Sequence, residues 1–233
     1  MNGLHSLRTY GDPCGIARAL DLVGERWALL LVRELLLGPK RFTDLRAGLL
    51  GASPNVLAQR LRELEQAGVV RRRKLGPPAG VWVYELTAWG HDLEPVILAL
   101  GRWGSRSPSV PAAELSVDAL ILALKTTFDP RAAEGLRARY ELRLGEENFR
   151  AEVADGRIEL ARGGADHPDA AIETDRDTLR SLVFGDRQLA EALRAGDLVV
   201  EGDRQAVTHF LRLFPRPAPV QPASAPRARR RTP

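Results

Sequence analysis

Apolar residues recur at helical spacing from early in the chain: Ile16, Ala19, Leu20 and Val23, then Trp27, Leu30, Leu31 and Leu35. Gly38-Pro39 stops the second of these helices. A short helix, Phe42 to Leu49, comes next, with Gly51-Ala52 as a turn behind it. Ser53 supplies an N-cap, and Pro54 takes the first helical position, where its missing N–H leaves no bond unmade. That helix extends to Gln66-Ala67, and Gly68 ends it. The period then drops to two. Val69 to Lys74 and Val81 to Thr87, on either side of Gly76-Pro-Pro-Ala-Gly80, read as a hairpin. A final helix, Ala88 to Gly104, places Leu93, Val96, Ile97, Leu100 and Trp103 on one stripe, which could either join a twofold mate or fill the chain's own core.

The pattern breaks over Ser105-Arg-Ser-Pro-Ser-Val-Pro111 and resumes with a helix, Leu115 to Phe128. Alternating strands follow at Tyr140–Leu144, Phe149–Val153 and Arg157–Leu160, the last two joined by Asp155-Gly156, a strong two-residue hairpin signal. A short strand, Ala170–Thr174, precedes helices at Leu179–Phe184 and Leu189–Leu193, a strand Leu198–Val200, and a closing helix, Gln205–Leu213. Strands followed by helices predict an α+β layer with an antiparallel sheet covered on one side. After Phe214 a Pro/Ala/Arg tail cannot form a core. The expected organisation is therefore a mainly α unit at 1–104, a linker at 105–114, an α+β unit at 115–214 and a disordered basic tail at 215–233.

Charge separates the two units. Residues 1–107 hold fifteen basic against ten acidic side chains, 108–215 hold fourteen against twenty, and 216–233 hold five arginines and no acid. A basic N-terminal unit suits a polyanion, which the acidic one would repel. The single cysteine, Cys14, excludes an internal disulfide and agrees with a cytoplasmic location; the four scattered histidines form no ligand cluster with it, so no metal or cofactor is expected. No apolar run approaches the roughly 20 residues that span a bilayer, and no membrane insertion is expected.

The polar side of helix 53–67 carries the most specific chemistry. At 100° per residue, Leu57, Leu61 and Leu64 fall within about 60° of one another, leaving Asn55, Gln59, Arg62, Glu63 and Gln66 opposite. Asn and Gln pair bidentately with adenine, and Arg with guanine, in the major groove. A solvated amphipathic helix would show the same wheel, but the tight turn before it and the basic hairpin after it favour DNA. In the run Arg71-Arg-Arg-Lys74, strand alternation puts Arg71 and Arg73 on one face and Arg72 and Lys74 on the other. One pair is then free to touch phosphate.

These residues carry a resemblance. The series Cys14-Gly-Ile-Ala-Arg-Ala-Leu-Asp-Leu-Val-Gly-Glu-Arg-Trp27, Gly38-Pro-Lys-Arg-Phe-Thr-Asp-Leu45, Ser53–Gly68 and Tyr84-Glu-Leu-Thr87 resembles the HxlR-type family of winged helix-turn-helix transcriptional regulators over about residues 11–104. The resemblance implies a homodimer joined through terminal helices, here through Leu93, Val96, Ile97, Leu100 and Trp103, reading an inverted-repeat operator in double-stranded DNA. Its implied DNA contacts are Arg41, Thr43, Ser53, Asn55, Gln59, Arg60, Arg62, Arg71, Arg72, Arg73 and Lys74. The uncharged tip, Gly76 to Gly80, departs from a strongly basic wing. Cys14 matches a position at which some members carry a redox- or electrophile-sensing cysteine, although a small buried hydrophobe would serve there equally.

The second unit resembles the sterol-carrier-protein domain, on Tyr140-Glu-Leu-Arg-Leu, Val153-Ala-Asp-Gly-Arg-Ile-Glu-Leu160, Asp169-Ala-Ala-Ile172 and Gly196-Asp-Leu-Val-Val-Glu-Gly-Asp203. The resemblance implies a small hydrophobic ligand lined by Phe128, Phe149, Ile158, Ile172, Leu182, Val183, Phe184, Leu193 and Phe210; the same residues could simply fill a core. With no nucleophile elbow, phosphate-cradling glycine loop or metal spacing, no enzyme is expected. The expectation is a dimeric DNA-binding regulator, a repressor in its simplest form. The alternative is a lipid carrier or partner-binding protein that uses the helix-turn-helix unit only as a dimerisation scaffold.

Overall fold

The computed structural model describes residues 9–108 and 114–220. The centre of the expected linker (109–113), the first residues of the N-terminal unit (1–8) and most of the expected tail (221–233) lie outside the described residues.

Four helices open the fold: α1 Gly15–Val23, α2 Ala28–Leu35, α3 Phe42–Gly48 and α4 Pro54–Gln66. They bury Val23, Leu31, Val32, Leu35, Leu45, Leu57, Leu61 and Leu64 in one core, which Val69, Val70 and Leu86 of the hairpin close. The hairpin strands, β1 Val70–Lys74 and β2 Trp82–Leu86, pair antiparallel with Arg71 opposite Glu85 and Lys74 opposite Trp82. The helix expected from Ala88 to Gly104 is in fact two, α5 Ala88–His91 and α6 Glu94–Gly104. Pro95 is the reason: lacking an N–H, it fits the first turn of α6 but not a helix interior. The break also splits the apolar stripe. Leu93 and Ile97 pack into the N-terminal core, so these two are intrachain residues, whereas Val96, Leu100 and Trp103 face outward, Trp103 at 76% exposure.

The second unit begins with α7 Val117–Thr127, capped by Ser116, whose Oγ accepts the Ala119 N–H at 3.0 Å. Strands β3 Ala138–Leu144, β4 Glu147–Ala154, β5 Arg157–Arg162, β6 Ala170–Thr174 and β7 Leu198–Gly202 form one sheet in the order β5-β4-β3-β6-β7. Helices α8 Arg176–Phe184, α9 Leu189–Ala195 and α10 Arg204–Arg212 complete the unit. Asp155 and Gly156 both take positive φ, 53° and 68°, as a two-residue turn of the right-handed sheet requires.

The sheet is mixed, not antiparallel throughout: β3 and β6 run parallel, with Tyr140 beside Ala170 and Leu144 beside Thr174. Parallel neighbours normally need a crossover of a dozen or more residues, usually helical, and none is visible in the sequence. Here the connection is the β4–β5 hairpin followed by the loop from Arg162 to Ala170, whose two ends sit at nearly the same level of the sheet. Asp169 fixes the arrangement from both sides: its N–H donates to the Arg139 carbonyl at 2.8 Å, and its carboxylate accepts the Arg139 N–H at 2.7 Å. Inside the unit, Tyr140 and Phe210 lie 4.7 Å apart, Phe210 and Phe214 5.0 Å. The Tyr140 hydroxyl is buried with no hydrogen-bond partner among the described residues; burial, then Asp169 and Asp203, push its pKa up to about 12.

The two units meet where α7 packs on α2 and α6, through a buried ionic network. Glu34 of α2, fully buried, accepts from Arg33 and Lys40 at 2.8 Å and from Ser116 at 2.7 Å. Lys40 also pairs with Asp118 of α7, and Asp118 in turn accepts from Arg162 of β5 at 2.6 Å. Lys40 exchanges both backbone hydrogen bonds with Tyr84 of β2, at 3.0 and 2.8 Å. One lysine thus touches the hairpin, α2 and the second unit. Burial pushes the Glu34 carboxyl up, but Lys40 and Arg33 hold it below the usual carboxylate range; burial likewise lowers the Lys40 ammonium, and Glu34 and Asp118 more than reverse that.

Candidate nucleic-acid interface

Helix α4 is fixed at its base and open on its outer side. Ser53 Oγ accepts the Val56 N–H at 3.3 Å, one of the donors that a helix start leaves unpaired. The turn before it is held by Trp27, itself at φ 79°. A Cβ on Gly51 would stand 2.8 Å from the Trp27 ring, so only glycine lets the turn lie this close. Leu57, Leu61 and Leu64 are at most 1% exposed, and burying each contributes about 1.5–3 kcal/mol. With that face anchored, Asn55, Gln59, Arg62 and Gln66 are exposed.

The expected contact residues do not all stand free. Asn55 and Arg62 make no side-chain hydrogen bond or ion pair within the described residues. Gln59 donates to Glu63 at 3.0 Å. Arg60 is half-buried and pairs with Glu63 and, at 3.7 Å, with Glu25. Its guanidinium therefore points toward the α1–α2 connection. Arg41 N-caps α3, where Asp44 accepts its backbone N–H at 3.1 Å, and Thr43 is exposed beside it, donating to Asp44 at 3.1 Å.

On the hairpin the alternation holds. Arg71 and Arg73 share a face with Glu85, which accepts from both at 2.7 Å. The Arg73 hydrogen bond, with Arg71 behind it, holds the Glu85 carboxyl below its usual range although burial opposes this. On the other face the Arg72 guanidinium lies 4.6 Å above the Trp82 ring, and Lys74 sits opposite Trp82 without an ion pair among the described residues. Sequence reasoning missed Glu85; an acid in Tyr84-Glu-Leu-Thr87, facing a four-residue basic strand, was the available signal.

Cys14 is exposed, which overturns its reading as a buried hydrophobe. Its N–H donates to Asp12 at 2.8 Å. Phe149, Ile158, Ile172, Leu182, Val183 and Phe210 belong to the second core, and Phe128, Phe184 and Leu193 pack against it. An apolar groove of about 320 Å³ lies in the first unit, between Arg18, Ala19 and Leu22 of α1 and Trp89 and Leu93. Among the described residues no group of His, Cys, Asp or Glu could hold a metal ion, and no helix is long and apolar enough to cross a membrane.

Residues 22–110 match the family model described as HxlR-like helix-turn-helix, and residues 106–220 match the one described as alkyl sulfatase C-terminal. The HTH-type transcriptional regulator YvaP of Bacillus subtilis is 38% identical over 89 residues, which span 38% of this chain and 82% of that protein. The HTH-type transcriptional regulator sll1512 of Synechocystis is 36% identical over 95 residues, 41% of this chain and 70% of that protein. The structure of the inverting sec-alkylsulfatase Pisa1 from Pseudomonas is similar over 45% of this chain at 17% identity and a TM-score of 0.41, spanning 19% of that enzyme. The chain thus matches only about a fifth of the sulfatase's length.

Proposed function

The chain belongs to the HxlR-like helix-turn-helix family, and on that premise we propose that it is a dimeric, sequence-specific transcriptional regulator, acting as a repressor, with α4 in the major groove. One observation carries the reading: Asn55 and Arg62 project from an α4 anchored by Leu57, Leu61 and Leu64, with their polar groups unengaged among the described residues. A dimerisation scaffold has no need for base-reading side chains there. The contact set is Arg41, Thr43, Ser53, Asn55, Gln59, Arg62 and the hairpin cations, with Arg60 positioning α4 against Glu25. Selection of DNA from a random pool by the purified full chain, at stated salt, tests it: an enriched inverted repeat supports the proposal, and no enrichment above unselected duplex refutes it.

The dimer reading rests on Ile16 and Leu20 of α1 and Val96, Leu100 and Trp103 of α6, apolar residues on outward-facing helix surfaces. For the second unit, residues 115–214, we keep the reading of a sterol-carrier-like fold that takes a small hydrophobic ligand. It is supported by an apolar interior whose least buried core members are Leu182 and Val183. Native mass spectrometry of the purified chain tests it; an empty protein whose DNA affinity is indifferent to Val183→Trp would remove the sensing role. The unit is read as non-catalytic, and Cys14 as a thiol available to oxidants, which C14S would silence.

A further inference from the structure

We propose that Trp82 is a positioning residue for DNA binding, its ring holding the Arg72 guanidinium in place for a phosphate of the duplex that α4 reads; this rests on the DNA-binding reading above. Trp82 is 51% exposed and takes no part in the core that Val70, Tyr84 and Leu86 of the same hairpin help to form. Burial therefore gives no reason for a large aromatic ring at this position. Its neighbour does. The Arg72 guanidinium lies 4.6 Å from the centroid of Trp82 and 6.0 Å from that of Tyr84. Lys40 holds the Tyr84 backbone through two hydrogen bonds, at 3.0 and 2.8 Å, so the strand that bears both rings is itself fixed.

Strand alternation gives this cluster its direction. The register sets Val70 opposite Leu86, Arg72 opposite Tyr84 and Lys74 opposite Trp82, and side chains two apart share a face. Val70 and Leu86 lie in one core with Leu57, Leu61 and Leu64 of α4. Arg72, Lys74 and Trp82 therefore extend the face on which α4 packs, Arg72 about 7 Å along the strand from Val70. Arg71 and Arg73 stand on the opposite face, with donors committed to Glu85. The two faces also differ in chemistry. A carboxylate occupies the N–H donors along the edge of a guanidinium, the same donors that a phosphate needs. An aromatic ring engages the charge and the flat face instead, and leaves the edge open. The Arg72 side chain makes no ion pair or hydrogen bond among the described residues. With its orientation restricted before DNA arrives, less side-chain freedom is lost on contact.

The test is a double-mutant cycle in the full chain: W82A, R72Q and the two together, each measured against a selected operator and an unrelated duplex at one stated salt concentration. W82A should weaken both complexes about two- to five-fold, the scale of an exposed cation–aromatic contact. W82F keeps a ring and should recover most of that loss. In the R72Q background W82A should change nothing further, because the residue acts through the arginine. A loss that persists at full size without Arg72 overturns the proposal and makes Trp82 a contact in its own right. Tighter binding by W82A overturns it too, by showing that the stack competes with DNA, and a loss confined to the operator replaces the phosphate contact with a base contact. The two readings fail separately. If the unaltered chain binds DNA and W82A binds equally well, only the role of Trp82 falls; if the unaltered chain binds neither duplex, both fall.

Discussion

The outer face of α4 and the open face of the second sheet are both polar, but they spend their charges differently. On the sheet, Arg143 bridges Glu141 and Glu201, Arg139 faces Glu152 across β3 and β4, and Arg137 meets Asp155. On α4 and the hairpin, Asn55, Arg62 and Lys74 meet no protein partner among the described residues. Charges paired across a sheet make a solvated surface that attracts nothing in particular. Unpaired donors on a rigid helix are available to a partner, and the Trp82 ring under Arg72 restrains the orientation of a guanidinium that would otherwise move freely in water. Among these side chains the difference lies in their pairing more than in their composition.

The comparison breaks most severely at the junction that holds the two regions together. Lys40→Met leaves Glu34 and Asp118 buried without their shared cation, and unfolding in urea should show a loss of about 3–5 kcal/mol. A loss below 1 kcal/mol would mean that Arg33 and Arg162 suffice. The same network sets a pH window. Glu34 is held below its ordinary value of 4.5, so its contribution is present above that value and lost as pH falls through the lowered one. Lys40 is held above 10.5, so its contribution is present below 10.5 and lost as pH rises past the raised value. Urea midpoints should accordingly hold between these limits and fall on both sides.

Much of the reading unit was legible because its signals are local. Ser53-Pro54, the Leu57/Leu61/Leu64 spacing and Gly68 lie within one helix, and each acts on its neighbours. Pro95 carried the same information as Pro54, yet the continuous stripe from Leu93 to Trp103 concealed a helix start. The junction was not legible, since Glu34, Lys40 and Asp118 are joined only by folding; a carboxylate inside the apolar run Ala28–Leu35 was its one trace. The parallel pairing of β3 with β6 left no trace, because the connection between them is a hairpin and a loop rather than a helix.

Sharpening the comparison on α4 calls for single alanines at Asn55, Gln59 and Arg62. Each should cost about 1–3 kcal/mol on the selected site and relax the preference at one base pair. Equal loss on selected and unrelated DNA would make that residue a phosphate contact. On the hairpin the paired and unpaired faces can be set against each other directly. Arg72→Gln with Lys74→Gln removes two cations that pair with no acid among the described residues and should flatten the salt dependence by about 1.8. Arg71→Gln with Arg73→Gln should flatten it less, because Glu85 already offsets one of that pair. Equal changes would show that Glu85 swings away when DNA binds.

The smallest effect belongs to the sheet. Arg139 and Glu152 are 4.0 Å apart, with side chains 57% and 48% exposed. A pair so open gains little Coulomb energy in water and gives up side-chain freedom to form, so it contributes about 0–1 kcal/mol. Glu152→Gln should therefore leave the urea midpoint nearly where it was. Removing one negative charge from the acidic unit should change operator affinity less than two-fold at 150 mM salt, where exposed charges are screened within about 8 Å. Differential titration of the wild type and this variant against one operator would resolve the point. A several-fold gain in affinity would mean that DNA passes close to this face, and that the sheet's paired charges are part of the binding surface after all.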